Sequence, residues 1–389
     1  MESARPDSTS GRDASVRPLR LAILGTRGIP ANYGGFETFA EELSARLADA
    51  GHDVTVYTRS HLAVPGLTSH RGARVRVLPA LRAKAFETLT HTLLSCLAVR
   101  RADTDVVLLC NAANAPLIPL LHARGLKVAL NVDGLERKRR KWGVLGQAYY
   151  LLCERLSARW ADAVVTDADV IARYYRRTWR RDSTMIPYGG DLPHPTTLTA
   201  LRRLSLRPEG YLLYVSRFEP ENNPDRVVAA YREVPGDTPL VLVGSAPYAA
   251  ALTRRVRALA EKDTRVLLAG PVYGEGYREL LFNARAYVHA TEVGGTHPAL
   301  VEAMGAGRLV FFLDSPPNRE VVRDTGVAFT FGGTRSLQRV LADFLAAPAR
   351  LAQLGDAARA RVAEAYRWDD VARAYERLLE GLCSGNPAA

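Results

Sequence analysis

The sequence predicts two doubly wound α/β domains in tandem, each a parallel sheet wrapped by helices, with a cleft between them. Three observations carry this reading. Short apolar runs alternate with helical patterns along almost the whole chain. A stretch rich in Pro and Thr, ending at Pro208, divides that alternation into two series. At 389 residues the chain is also too long for one compact core.

Residues 1–18 are rich in Ser, Arg, Asp and Pro without an apolar segment, so they read as a disordered tail and not as a signal peptide. The first domain, 19–190, opens with the apolar run Leu21 to Leu24, a buried strand. A loop holding Gly25, Gly28, Pro30, Asn32, Gly34 and Gly35 follows. Phe36, Phe39, Ala40, Leu43 and Leu47 then recur at helical spacing, which starts a helix near Gly35. A glycine loop at a helix N-terminus lets backbone amides face an anion. A tight turn would use the same residues, but this loop is longer than a turn requires. The dinucleotide fingerprint fits poorly, because the glycine spacing is wrong and the second strand, Val54 to Tyr57, ends without an acidic residue.

Further strands are expected at Val75–Leu78, Val106–Leu109, Val128–Val132, Val164–Val165 and Met185–Pro187. Helical patterns cover Phe86–Val99, Ala115–His122 and Val144–Ala161. Residues 191–208 read as the linker, and 209–365 as the second domain. Its strands are expected at Tyr211–Ser216, Leu240–Gly244, Val266–Gly270, Tyr287–Ala290 and Leu309–Leu313. Helices near Ser336–Ala365 and Asp369–Leu382 close the chain, and the helix within 366–389 is expected to cross back to the first domain.

Two stretches of the second domain carry chemistry. In TEVGGTHPALVEAMGAG, Gly294, Gly295 and Thr296 lead to Pro298 at a first helical position, a second anion-ready helix start. Glu302 lies one turn into that helix, where its carboxylate can accept hydrogen bonds from a ribose. In YLLYVSRFEPENNPD, Arg217 follows a strand directly, placing a guanidinium for bidentate contact with phosphate oxygens. Facing one cleft, these features suit a nucleotide-diphosphate sugar.

The chain resembles a retaining glycosyltransferase of the two-domain GT-B type, in the large family 4 of such enzymes and its bacterial rhamnosyltransferase-like branch. The strings that carry the resemblance are GTRGIPANYGGFETF, NVDGLERKRRKWG, SRFEPENNPD and GGTHPALVEAMGAGRLVFFLDSPPNREV. The resemblance implies that Gly34 and Gly35 approach the donor diphosphate, with Arg217 and Asn222 binding it. It places Glu302 on the ribose, and Val272, Tyr273 and Tyr277 of the loop Pro271–Tyr277 under the base. The turn Gly294–Thr296, with Glu292 and His297, would line the sugar pocket, and Asp133 would face the acceptor hydroxyl or the donor sugar. Asp133 and Arg217 are the implied catalytic residues. Two positions depart from the broad family, which usually has Glu at Gly294 and Lys at Asn222. The implied donor is dTDP-L-rhamnose and the implied acceptor a glycan or polyprenyl-linked saccharide of cell-surface polysaccharide synthesis. No cofactor is expected.

Asp167-Ala168-Asp169 has the spacing of a metal-binding D-x-D, but its place between a strand and a helix favours Asp169 as an N-cap, so no metal is expected. The net charge of +11 favours a polyanion or an anionic membrane surface. Nucleic acid is disfavoured, since no binding motif appears and aromatic residues are not interleaved with basic ones. The run Arg137 to Lys141 beside Trp142 reads as a solvated loop or as a lipid-facing or phosphate-facing patch. The segment Phe86–Val99 reads as a core helix or as an interfacial one; taken together the two favour a membrane surface. Cys96, Cys110, Cys153 and Cys383 lack metal spacing, which suits a reduced cytoplasm and an enzyme on the inner face of the plasma membrane. A catalytically inactive sugar-nucleotide binder remains the alternative.

Overall fold

The computed structural model describes residues 17–31, 34–81, 87–245 and 249–385. The first domain is built on a sheet of β1 (Arg20–Leu24), β2 (Asp53–Arg59), β3 (Ser69–His70), β4 (Ala73–Leu78), β5 (Val106–Cys110), β6 (Lys127–Asn131), β7 (Ala163–Thr166) and β8 (Thr184–Met185). Their order is β3-β4-β2-β1-β5-β6-β7-β8, and every pairing is parallel except β3 with β4. The order reverses between β1 and β5, which opens a crevice at the strand C-termini there. The second sheet holds β9 (Leu212–Val215), β10 (Leu240–Val243), β11 (Val266–Gly270), β12 (Ala286–His289), β13 (Leu309–Leu313) and β14 (Val327–Phe329). Its order is β11-β10-β9-β12-β13-β14, with the reversal between β9 and β12. Central strands such as β5 and β13 are buried throughout because helices cover both faces, which is why they read as unbroken apolar runs.

Most differences from the sequence reading lie at chain ends and edges. The two-residue β3 and three-residue β14 are too short to show a pattern. Met185–Pro187 pairs only at Thr184–Met185, on the sheet edge, and Pro187 has no amide hydrogen to continue the ladder. The single helix expected over Ser336–Ala365 is Leu337–Ala346, a 3-10 turn Pro348–Leu351, and Ala352–Ala365. Pro348 interrupts it by lacking a donor and fixing φ. Asp169 is not an N-cap. It is the first residue of the helix Asp169–Trp179, whose open amides are taken by Glu320 of the second domain, at 2.5 Å to Asp169 N and 2.9 Å to Val170 N. The expected tail lies almost wholly outside the described residues, as do Asn32 and Phe86.

The chain crosses between the domains twice, side by side. Gly190 N donates to Tyr366 O (2.8 Å), and Trp368 N donates to Asp191 Oδ1 (2.6 Å). The last helix, Trp368–Ser384, buries Trp368, Val371, Tyr375 and Leu379 in the first domain's core with Phe39, Leu43 and Cys110. Each such side chain contributes roughly 2–3 kcal/mol of burial, so the C-terminus is anchored on the domain that begins the chain. Within the stretch 191–208, the short helix Thr199–Arg203 packs Ala200 and Leu201 inward, and Glu279 accepts from Ala200 N at 2.6 Å.

Candidate active site

The opening helix, Gly35–Asp49, starts at Gly34, whose carbonyl accepts from Glu37 N (3.1 Å) and Thr38 N (3.2 Å). The second anion-ready helix, Pro298–Gly305, has His297 at its N-cap. These two helix starts meet across the cleft. A Cβ on Gly35 would lie 2.8 Å from Pro298 Cγ, so only glycine permits the approach. Between the domains lies a cavity of about 340 Å³. Gly34, Gly35, Thr38 and Arg139 form its first-domain wall, and Ser216, Arg217, Asn222, His297, Pro298 and Glu302 much of the other. Val272, Tyr273 and Tyr277 line the far end. Two positive dipole ends and three arginines, Arg139, Arg217 and Arg278, around one hollow make a site for a polyanion.

Glu302 is 5% exposed, and Tyr277 Oη donates to its Oε2 at 2.5 Å. Burial pushes its carboxyl up to about 7, with the tyrosine bond opposing. The group therefore straddles neutral pH, ready to accept hydroxyl donors as it ionises. Asn222 lines the cavity but spends its amide on the chain: Nδ2 donates to Arg217 O at 2.7 Å, and Tyr214 Oη donates to Asn222 O at 2.6 Å. Its observed work is to hold the loop that carries Arg217, a departure from the diphosphate contact expected of it.

The rest of the expected sugar pocket is brought together differently. Gly294, at φ +152°, and Gly295 pack against Gly134 of the first domain; a Cβ on Gly134 would lie 2.7 Å from Gly294 Cα. A Cβ on Gly295 would overlap the Asp167 carboxylate, and Thr296 Oγ1 donates to Asp167 O. None of Asp133, Glu292, Gly294, Gly295 and Thr296 reaches the cavity wall; they form a seam beside it. Glu292 is held by Arg140 and accepts from Asn223 Nδ2 at 3.0 Å. Asp133, at φ +58°, accepts from Tyr188 Oη at 3.3 Å. Burial raises the Asp133 carboxyl, and burial plus the Asp133 charge raises Asp167 well above the usual range. Asp167 is 1% exposed, and neither carboxylate oxygen has a well-formed hydrogen bond among the described residues. The ring of His297 lies 4.9 Å from that of His289; burial lowers both, His289 to about 3, so both are neutral.

Four of the five cations in the basic run are spent on carboxylates inside the protein, and Lys138 is exposed. Arg139 is buried against Glu136, Glu219 and Glu221, Lys141 Nζ lies 3.3 Å from Glu219 Oε1, and Arg140 pairs with Glu292. Arg137 bonds Glu154 and Tyr174. Five carboxylates, three of them on the second domain, hold these cations. Sequence reading missed Arg139 and Asp167 as cleft residues. Their signal lay in EPEN, an acidic string with no local cation besides Arg217.

Asp167 and Asp169 share no ligand set, since one is buried in the seam and the other is exposed at a helix start. Among the described residues His52, Glu376 and Glu380 cluster closely enough to hold an ion. His52 Nδ1 accepts from Leu19 N (3.0 Å), so the proton sits on Nε2 facing Glu376 (2.7 Å), and that ring nitrogen offers no lone pair to a metal.

Two family models match in succession, "Glycosyl transferase 4-like domain" over residues 34–189 and "Glycosyl transferases group 1" over 203–361. Between them they account for both domains, and the chain belongs to the glycosyltransferases of GT-B type. No curated protein matches it in sequence. Among solved structures it is similar to sucrose-phosphate synthase from Thermosynechococcus elongatus, at 23% identity and TM-score 0.80, with 95% of this chain and 100% of that one covered. HepE of Anabaena in complex with UDP and glucose aligns at 14% identity and TM-score 0.75, over 93% and 100%. TarM of S. aureus, in complex with Fondaparinux, alpha-GlcNAc-glycerol and UDP, aligns at 9% identity and TM-score 0.71, again over 93% and 100%.

Proposed function

We propose that the chain transfers a sugar from a nucleotide-diphosphate donor, with retention of configuration, to a glycan or lipid-linked acceptor. The observation that carries this is the cavity where the two helix starts meet Arg217 at one end and the Glu302–Tyr277 pair at the other. Its cationic residues and helix starts suit a diphosphate and its buried carboxylate a ribose, and complexes of similar folds hold UDP with sugars. L-rhamnose from dTDP is the donor we favour, on the strength of the sequence strings above, in cell-surface polysaccharide synthesis. The carboxylates that line the cavity are engaged, Glu41 with His70, Glu42 with Arg46 and Arg71, and Glu302 with Tyr277, so we assign none of them as a nucleophile. In our reading the acceptor hydroxyl attacks the anomeric carbon on the face the diphosphate leaves. The bond to the phosphate oxygen breaks, and the hydroxyl proton passes to the leaving phosphate. Arg217 and the helix dipoles stabilise the charge that develops there, so no metal is required. Nucleotide release across a panel of sugar nucleotides tests the assignment: dTDP-L-rhamnose should turn over fastest, and release from none of them would leave only an inactive binder.

A second reading concerns the acceptor. The helix Glu87–Ala98 turns His91, Thr92, Ser95 and Cys96 inward and leaves Leu93, Leu94 and Leu97 exposed. On the helix Val144–Trp160, Val144 and Leu145 are 83% and 87% exposed, followed by exposed Leu151 and Leu152. Exposed Lys138, Arg155 and Arg159 flank them. Apolar faces rimmed by cations fit an anionic bilayer, which would bring a lipid-linked acceptor to the cleft. Among the described residues no helix is long and apolar enough to cross a membrane.

A further inference from the structure

We propose that Arg139 is a ligand of the donor diphosphate, carried to the donor site by the first domain when the cleft is closed. This rests on the nucleotide-diphosphate reading and adds a residue to it. Arg139 is 8% exposed and lines the same cavity as Arg217 and His297, although it belongs to the loop after β6 in the opposite domain. A guanidinium has five N–H donors, and burying it without filling them is costly. Here the cross-domain contacts are long: Nη1 lies 3.3 Å from Glu219 Oε2 and 3.4 Å from Glu221 Oε1. Charge-assisted bonds normally close to about 2.7–2.9 Å. Nε is held in an ion pair by Glu136 of its own loop, while Glu221 Oε2 has no hydrogen-bond partner among the described residues.

The placement of Glu219 adds a second argument. Its Oε2 stands between the two arginines, 3.3 Å from Arg139 and 3.6 Å from Arg217 Nη2. One anionic oxygen therefore already occupies the space between a guanidinium from each domain. A diphosphate offers that space more oxygens and the planar, two-point geometry arginine prefers. Asn222 is committed to the backbone of Arg217, and Arg278, which also lines the cavity, is paired with Glu275, so the cation set against Arg217 comes from across the cleft. Diphosphate binding and closure then favour each other, because only the closed arrangement presents both arginines.

The test compares UDP and dTDP with uridine and thymidine, by calorimetry for the diphosphates and NMR titration for the nucleosides. Arg139→Gln should weaken the better diphosphate about 100-fold and its nucleoside less than about 3-fold, the loss expected of a charged contact to a buried anion. Arg139→Lys keeps the charge, so it serves if the Gln variant does not fold, and should lose about 10-fold through the missing fork geometry. Thermal unfolding confirms that each variant compared is folded. Unchanged diphosphate affinity overturns the proposal while the donor reading stands. Equal loss for nucleoside and diphosphate also overturns it, assigning Arg139 to closure alone. A parent that binds neither diphosphate overturns both readings together.

Discussion

Replacing Glu302 by Gln should stabilise the protein above neutral pH while crippling the donor site. Burial raises the Glu302 carboxyl from the usual 4.5 to about 7. Below pH 4.5 the group is neutral in both folded and unfolded chains and costs nothing. Between 4.5 and 7 the folded chain holds its proton longer, so the stability this group contributes at low pH is lost as pH rises through that window. The loss is complete above 7 and amounts to about 3 kcal/mol. Glutamine keeps the shape and stays neutral, but it weakens the bond from Tyr277 Oη by roughly 1 kcal/mol. The variant should therefore gain about 2 kcal/mol over the parent at pH 8 and be slightly less stable at pH 5. Denaturant unfolding of both proteins at the two pH values reads that difference, and the contributions of all other groups cancel. On the functional side, a ribose donating to the ionised carboxylate would pull its proton off. Nucleotide binding at pH 7 should then release a fraction of a proton, measurable by calorimetry in buffers of different ionisation enthalpy. In Glu302→Gln that release should vanish and affinity fall about 10-fold or more. A stability gap between the proteins that stays the same at pH 5 and pH 8 would refute the neutral-acid reasoning. An intact affinity would separately remove Glu302 from the ribose.

Three further outcomes are expected. Arg217→Ala should weaken nucleoside-diphosphate binding and turnover by about 100-fold, and equal affinity in mutant and parent would remove it from the diphosphate. Incubation with EDTA should leave sugar transfer unchanged, because helix termini and arginines supply the positive potential; loss of activity restored by magnesium or manganese would contradict this. The parent should sediment with anionic but not neutral liposomes at low salt, and Val144→Ser with Leu145→Ser should reduce that without altering nucleotide binding. A parent indifferent to anionic liposomes at any salt would point to an acceptor that is not membrane-bound.

Local chemistry made much of this protein legible before any coordinates. Strand β13 was readable to the residue because Leu309–Leu313 is apolar throughout, and a strand buried on both faces has no other pattern. The start of the opening helix at Gly35 followed from Phe36, Phe39 and Leu43 at helical spacing. Pro298 at a first helical position, Arg217 at a strand end and Glu302 one turn into its helix are equally local statements. The longer strands and helices, and hence two doubly wound domains, follow from such short windows.

What the windows hide is the partner across the cleft. Arg139 and its basic neighbours looked like a lipid-facing patch because the nearest residues in sequence are cations and a tryptophan. Their true neighbours, Glu219, Glu221 and Glu292, are supplied by the other domain. Asp169 looked like an N-cap because its own segment offers no better one, yet the cap is Glu320 of the second domain. The glycines of the turn Gly294–Gly295 read as the approach to an anion-ready helix start, and only the packing of Gly134 and Asp167 against them shows why no Cβ fits. Sequence by itself determined the elements, their order and the two anion-ready helix starts, because these depend on residues a few positions apart. Tertiary structure alone decided which charges meet, because Coulomb attraction and burial act through space between segments that the sequence keeps far apart.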